Sequence, residues 1–362
     1  MKGKMNAVLV TGPNEYGLQQ VDIPELKYGE ALIRVRAAAI CGSDPKLFKG
    51  LSRPAIPPYY PFIAGHELSG EIAEIADGVK GLKEGDRVAC EGHAGCGHCE
   101  NCAVGLYNLC LNYGKEEEGH LHYGHLHQGG FAEYAAYTAR ALTRLPDNVS
   151  YNEAALLDSA TTAFNAIRLT GIVPNGTTVI IGPGPVGLFA VQFAKALAGK
   201  TIVLGRGGRL QKAVELGADI IIDVGKENGV EAVNRVTGGR RADQVFECVG
   251  RPETVYEAVL CAKRGGKVAL IGLPTEGDKD MTLPVKQMVL DQIEVRGSRA
   301  SSTAFPTVLG MFSGGLIKAK PLISHTFPLS SFKEAMDTFC ERRGAAIKVV
   351  DWVRGSNPRG GA

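Results

Sequence analysis

An α/β chain of two parts is predicted: a β-rich, barrel-like part, then a doubly wound parallel sheet. Three patterns carry that prediction. Short alternating runs punctuated by turn residues fill residues 6–137. From about Tyr151 the apolar residues recur with helical spacing. Beyond that point apolar strand-like runs alternate with helix-like runs, and a glycine-rich turn sits at the first strand-to-helix junction.

In the first part, residues 6–10 and 31–38 read as strands, with turn signals between them at Gly12-Pro13, Pro24 and Tyr28-Gly29-Glu30. Residues 70–76 alternate, 81–90 read as a turn and a strand, and 131–137 alternate again. Residues 152–168 read as one helix. Six strands are then expected at 178–181, 201–204, 220–223, 244–248, 267–271 and 293–297. Helices are expected near 186–198, 208–217, 228–237, 252–263 and 283–291. A tail of 303–313, 323–327, a helix over 331–342 and a strand over 346–351 exceeds one six-stranded sheet and is expected to return to the first part. Residues 354–362 look frayed.

Composition narrows the function classes. With 362 residues and 44% hydrophobic content there is material for two cores. A net charge of +2 gives no electrostatic reason for nucleic acid or an anionic membrane as partner. No run approaches the roughly eighteen apolar residues of a spanning helix, and the start lacks a signal peptide's apolar centre. A cytoplasmic protein is expected. Nine cysteines, four of them crowded between 96 and 110, read as metal ligands in a reducing compartment rather than as disulfides.

Those four, Cys96, Cys99, Cys102 and Cys110, suit a closed tetrahedral zinc site that leaves no position for substrate and holds a lobe together. A second set is sparser. Cys41 and His66 are zinc-type donors from separate segments, with Glu67 adjacent. Ser43 lies two residues past Cys41, within reach of a group held there, and Asp44 is placed to accept the spare imidazole N–H of His66. Taken alone, Cys41 and His66 would read as a small buried hydrophobe and a satisfied loop histidine. Four more histidines, His120, His122, His125 and His127, read as a solvated loop with adventitious metal affinity, or as one wall of a polar cleft.

The turn Gly182-Pro183-Gly184-Pro185-Val186-Gly187 follows a predicted strand and opens a helix, the context in which G-x-G-x-x-G binds a dinucleotide. Gly182 allows the turn, Gly184 lets the pyrophosphate approach, Gly187 lets helix pack on strand, and the helix start faces the phosphates. Where an NAD site places a carboxylate, at the end of the second strand, stands Gly205, followed by Arg206 and Arg209. Arginines there can pair with a 2′-phosphate, so NADP is expected over NAD.

Taken together, Cys41-Gly-Ser-Asp44, Gly65-His66-Glu67, the four-cysteine lobe, Gly129-Gly-Phe-Ala-Glu-Tyr134 and the glycine turn resemble the zinc-containing medium-chain alcohol and polyol dehydrogenases, sorbitol dehydrogenase-like, over nearly the whole chain. The resemblance implies a GroES-like catalytic domain over 1–158 with the zinc lobe at 91–111, a Rossmann domain over 159–298, and a return to the catalytic domain over 299–362. It implies a catalytic zinc on Cys41 and His66, with Glu67 nearby or exchanging. Asp158 matches a further ligand position, as a residue one methylene shorter than the polyol branch's Glu. Val249, Ile271, Gly272, Leu273, Gly297 and Ser298 match segments lining the nicotinamide. Lys46 stands where many members carry a proton-passing histidine. A homodimer or homotetramer follows by analogy.

The mechanism expected is proton removal by Ser43 and hydride transfer from a secondary alcohol or sugar carbon to the nicotinamide. The alternative is NADPH-dependent reduction of ketones or aldehydes. A zinc-free quinone or enoyl reductase on the same fold is disfavoured by both cysteine sets. A zinc ribbon contacting nucleic acid is disfavoured by the charge balance and the glycine turn.

Overall fold

The computed structural model describes residues 1–51, 57–197, 199–274 and 281–352, the side chains of 351 and 352 excepted. The tail 354–362 lies outside them. Contacts divide the chain into two units, one of 1–158, 305–313 and 319–362, the other of 159–304 and 314–318.

The first unit is built on the strand Glu30–Ala39. Its run of small and branched apolar residues is buried along almost its whole length, as a strand with neighbours on both sides requires. On one side it pairs antiparallel with Glu67–Ile75, which carries His66 at its entrance. On the other it pairs antiparallel with Lys348–Trp352, matching Ala39 to Val350. The last described strand is thereby stitched beside Glu30–Ala39, over 300 residues earlier in the chain. A smaller sheet joins Lys4–Gly12 to Glu15–Asp22 and Phe62–Ile63. Phe62, Phe131, Tyr137 and Phe332 fill the core behind them.

Two departures from expectation bear on the architecture. Glu15–Asp22 is a strand although its sequence, Glu-Tyr-Gly-Leu-Gln-Gln-Val-Asp, shows no apolar alternation. It is a largely exposed edge, so one row of backbone bonds holds it without a buried face. The helix expected over 152–168 is two. Ser150 and Glu153 form a reciprocal capping box that starts Tyr151–Ala154, and the chain restarts as Leu157–Thr170. The break puts Asp158 in the first turn of the second helix.

The second unit is a six-stranded parallel sheet in the order 220–223, 200–205, 177–181, 242–247, 262–270, 294–297. The first of these strands in the chain is central, and the order reverses beside it, which is where such sheets bind ligands. Thr177–Ile181 is buried throughout, and the helix Pro185–Leu197 packs its buried face on it. Among the described residues no helix is long and apolar enough to cross a membrane.

Candidate functional site: two metal-ligand clusters and a dinucleotide cradle

Cys41, His66 and Glu67 bring their ligand atoms within 4.8 Å of one another. Cys41 leads into the turn after the central strand, and His66 and Glu67 enter the neighbouring one, so strand pairing sets the convergence. Burial works against a charged His66, yet Cys41, Asp44 and Asp158 around it push its pKa up to about 10. A site so rich in negative groups and so withdrawn from water calls for a cation, and its sulfur, nitrogen and oxygen donors suit zinc. Asp158 is not among the three mutually close donors. It is half-buried, and its charge is felt by His66 and by Glu91.

Asp44 is buried and accepts a hydrogen bond from the Cys41 amide at 2.7 Å. Its other oxygen lies 3.7 Å from His66 Nδ1, too long for the hydrogen bond the sequence suggested. The Cys41 amide has claimed the carboxylate, so Asp44 steadies the ligand loop and holds His66 by charge alone. Burial raises the Asp44 pKa to about 6, against the pull of His66. Ser43 stands at the N-cap of the helix Asp44–Phe48 but makes no capping bond. Its Oγ is buried and has no hydrogen-bond partner among the described residues. Such an atom fits a bound group.

One contributor was not singled out from sequence. Lys348, in the C-terminal strand, donates through Nζ to the Glu67 carboxylate. It also reaches the Ile40 carbonyl at 3.4 Å.

The histidine loop is not a solvated one. His120 is wholly buried, and imidazoles run outward from the ligand cluster: His66 meets His125 tilted at 4.4 Å, His125 stacks on His122 at 4.2 Å and His122 on His93 at 3.9 Å. Tyr113 Oη lies 2.7 Å from His122 Nδ1. Burial, then the neighbouring histidines, push the His122 pKa down, which favours its neutral ring within the column. Rings lying face to face cannot aim their nitrogens at one point. The described residues accordingly form only two clusters fit for a metal, neither of which includes these histidines beyond His66.

The other cluster is Cys96, Cys99, Cys102 and Cys110, again with ligand atoms within 4.8 Å. The Cys96 amide points at Cys110 Sγ at 3.5 Å and the Cys99 amide at Cys96 Sγ at 3.4 Å. Amides aimed at sulfur stabilise thiolates, as a zinc site of four cysteines requires.

In the second unit the glycine turn has the shape a pyrophosphate needs. Gly182 has φ +99°, a conformation open to glycine. A Cβ at Gly187 would sit 2.0 Å from the Gly182 carbonyl oxygen, whereas one at Gly184 would meet nothing within 4 Å. The backbone is closed where helix meets strand and open where a ligand would approach. Pro185, Val186 and Gly187 form the first turn of the helix, directing its amide end at that opening. Gly205 ends the second strand and Arg206 beside it is exposed, with Arg209 starting the next helix. At the neighbouring strand ends the Glu247 carboxylate accepts from the Val249 and Gly250 amides, fixing the loop that bears Val249. Ile271, Gly272 and Leu273 follow the fifth strand, Gly297 ends the sixth, and Ser298 receives a hydrogen bond from Asn165.

Family models match two stretches: the alcohol dehydrogenase GroES-like domain over 27–147 and the zinc-binding dehydrogenase domain over 185–314. Sorbitol dehydrogenase of Bacillus subtilis (strain 168) is 30% identical over 348 residues, 96% of each chain. Two solved structures superpose along nearly the full length. A zinc-binding dehydrogenase from Sinorhizobium meliloti 1021 bound to NADP gives a TM-score of 0.88 at 27% identity, covering 97% of this chain and 99% of that one. A short chain alcohol dehydrogenase from Escherichia coli CFT073 complexed with NADH gives 0.87 at 29%, covering 96% and 99%.

Proposed function

The chain belongs to the zinc-containing medium-chain alcohol and polyol dehydrogenases, and we propose that within that family it oxidises a secondary hydroxyl of a polyol or sugar to the ketone with NADP. The family uses zinc and a nicotinamide cofactor. The carrying observation is the buried Ser43 Oγ, without a partner among the described residues and two residues past Cys41, one of the three converging donors.

When bound, zinc polarises the substrate oxygen and the nicotinamide ring accepts the hydride. Cys41 and His66 would hold that zinc, with Glu67 as an exchanging ligand and Asp158 acting through water. Ser43 accepts the hydroxyl proton while passing its own on to water, as the carbon–hydrogen bond breaks. Asp44, bonded to the Cys41 amide, keeps the ligand loop in place. Cys96, Cys99, Cys102 and Cys110 would hold a second, structural zinc. Gly182, Gly184, Pro185, Val186 and Gly187 cradle the pyrophosphate. Val249, Ile271, Gly272, Leu273, Gly297 and Ser298 line the nicotinamide.

The NADP preference rests on Gly205, where a carboxylate would otherwise bind the ribose hydroxyls, and on Arg206 and Arg209, which can pair with a 2′-phosphate. The polyol preference rests on the carboxylate at 158 and on the sorbitol dehydrogenase relative. Initial rates with NADP and with NAD across polyols, aldoses and simple secondary alcohols test both. A polyol or sugar preference with NADP is expected. Equal or better efficiency with NAD, or turnover of simple alcohols only, would overturn the corresponding half.

A further inference from the structure

We propose that Pro183 is a specificity-determining residue of the cofactor site, because its ring occupies the space a side chain at position 205 would need. The inference rests on the NADP reading above and extends it. A Cβ built on Gly205 would lie 2.3 Å from Pro183 Cδ and 2.6 Å from Cγ, with Leu210 Cδ2 at 3.3 Å. No real Cβ tolerates the first two distances. A long side chain would swing away, but a pyrrolidine ring is tied to its own backbone and cannot.

Nor can the loop step back. The Gly182 amide donates to the Leu204 carbonyl at 2.9 Å, pinning the turn to the end of the second strand. Behind it the Gly182 carbonyl oxygen abuts the helix at Gly187, 2.0 Å from where a Cβ there would stand. On its other side Gly182 packs against Val249, whose Cγ2 would lie 2.5 Å from a Cβ at 182. Strand, helix and neighbouring loop thus hold Pro183 over Gly205.

An NAD site needs an acidic side chain at the end of this strand to take the ribose hydroxyls. Here the chain excludes it twice, by having no side chain at 205 and by filling the place where one would begin. Positions 183 and 205 therefore act as a pair. Installing the carboxylate alone collides with the ring. Removing Cγ and Cδ by Pro183→Ala, which keeps Cβ, clears both conflicting atoms.

The test is a double-mutant cycle on the zinc-loaded protein, read by fluorescence titration of NADH and NADPH and by thermal unfolding. Gly205→Asp alone is expected to melt several degrees lower and to gain nothing toward NADH. Pro183→Ala/Gly205→Asp is expected to bind NADH at least about tenfold tighter than Gly205→Asp, the order of a charge-assisted hydrogen bond. Gly205→Ala, which adds only the Cβ, should lower the melting temperature in the parent and lose most of that effect when combined with Pro183→Ala. If Gly205→Asp does not fold, this alanine pair decides. Gly205→Asp binding NADH as tightly as the double variant, or Gly205→Ala melting with the parent, overturns the proposal. The NADP reading fails separately: a parent protein binding NADH as tightly as NADPH sinks it, whereas the coupling between 183 and 205 is read from differences among variants.

Discussion

Lys348 donates a hydrogen bond from Nζ to the Glu67 carboxylate, and both side chains are wholly buried, at 1% and 0% exposure. Burial alone would strip the lysine of its proton, but Glu67, then Cys41, hold its pKa above the ordinary value. The two are therefore an ion pair, 281 residues apart in sequence. Removing one partner strands a buried charge, which costs about 3–5 kcal/mol, whereas replacing both with neutral groups is far milder. Lys348→Met is expected to lose roughly that much in urea unfolding of the zinc-loaded protein. Lys348→Met/Glu67→Gln is expected to recover most of it. A double variant no more stable than the single would mean that the lysine acts through its packing and not its charge.

Ser43 has a buried hydroxyl with nothing among the described residues to bond, two residues past the metal-type donor Cys41. If it serves the substrate's proton, Ser43→Ala should lower kcat by about 10²–10⁴-fold, the range for a positioned proton acceptor. KM and the affinity for NADPH should change little. An unchanged kcat would remove Ser43 from the chemistry.

The two metal clusters predict separable losses. Parent protein should carry two zinc ions per chain by atomic absorption, one for each donor set. Cys99→Ser should cost one zinc and a large part of the thermal stability, because a closed four-cysteine site folds its lobe. Cys41→Ala or His66→Ala should cost the other zinc and abolish turnover while NADPH still binds. Full turnover by either variant would sink the catalytic assignment.

Much of this was legible in the sequence, because periodicity and spacing are local. The parallel sheet, the four-cysteine lobe and the strand–glycine–helix junction all announce themselves within a few dozen residues. What was hidden depends on long-range pairing. Lys348 sits in the run Ala346-Ile-Lys-Val-Val, where a lone cation amid apolar residues hints at a buried partner, but only the pairing of Val350 with Ala39 shows which one. The histidine loop looked polar by composition. It is packed instead because His125, His122 and His93 stack on one another and His125 meets a residue from a distant segment, His66, at a tilt. Glu15–Asp22 escaped because an edge strand is held by backbone bonds that leave no mark on side-chain pattern.

Arg206 is exposed just past the end of the second strand, and the proposed NADP reading has it pair with the 2′-phosphate. A charge-assisted bond to phosphate is worth roughly 1.5–3 kcal/mol. Arg206→Ala should therefore weaken NADPH binding by about ten- to a hundredfold and leave NADH binding almost unchanged. Equal weakening of both would show that the arginine supports the loop and does not read the phosphate.

Asp243 is a buried carboxylate whose partners link the second unit's stability to pH. Its carboxylate, 1% exposed, accepts from the Thr177 amide at 2.8 Å and pairs with Lys263 at 2.6 Å and Arg240 at 2.9 Å. Burial pushes its pKa up, but these partners outweigh it and the net shift is downward. A carboxylate whose folded pKa lies below its unfolded value of about 3.9 binds protons more weakly in the folded state. Its contribution is present above that unfolded value and is lost as pH falls through the lower folded one. Asp243→Asn should cost about 1–3 kcal/mol at neutral pH, since the lysine and arginine retain some access to water. The gap from the parent should close as the pH drops below about 3.9. Hydrogen exchange of the amides in Thr177–Ile181 reads this strand directly, independently of zinc release from the other unit. A gap that persists undiminished in acid would assign the loss to packing around the side chain instead of to its charge.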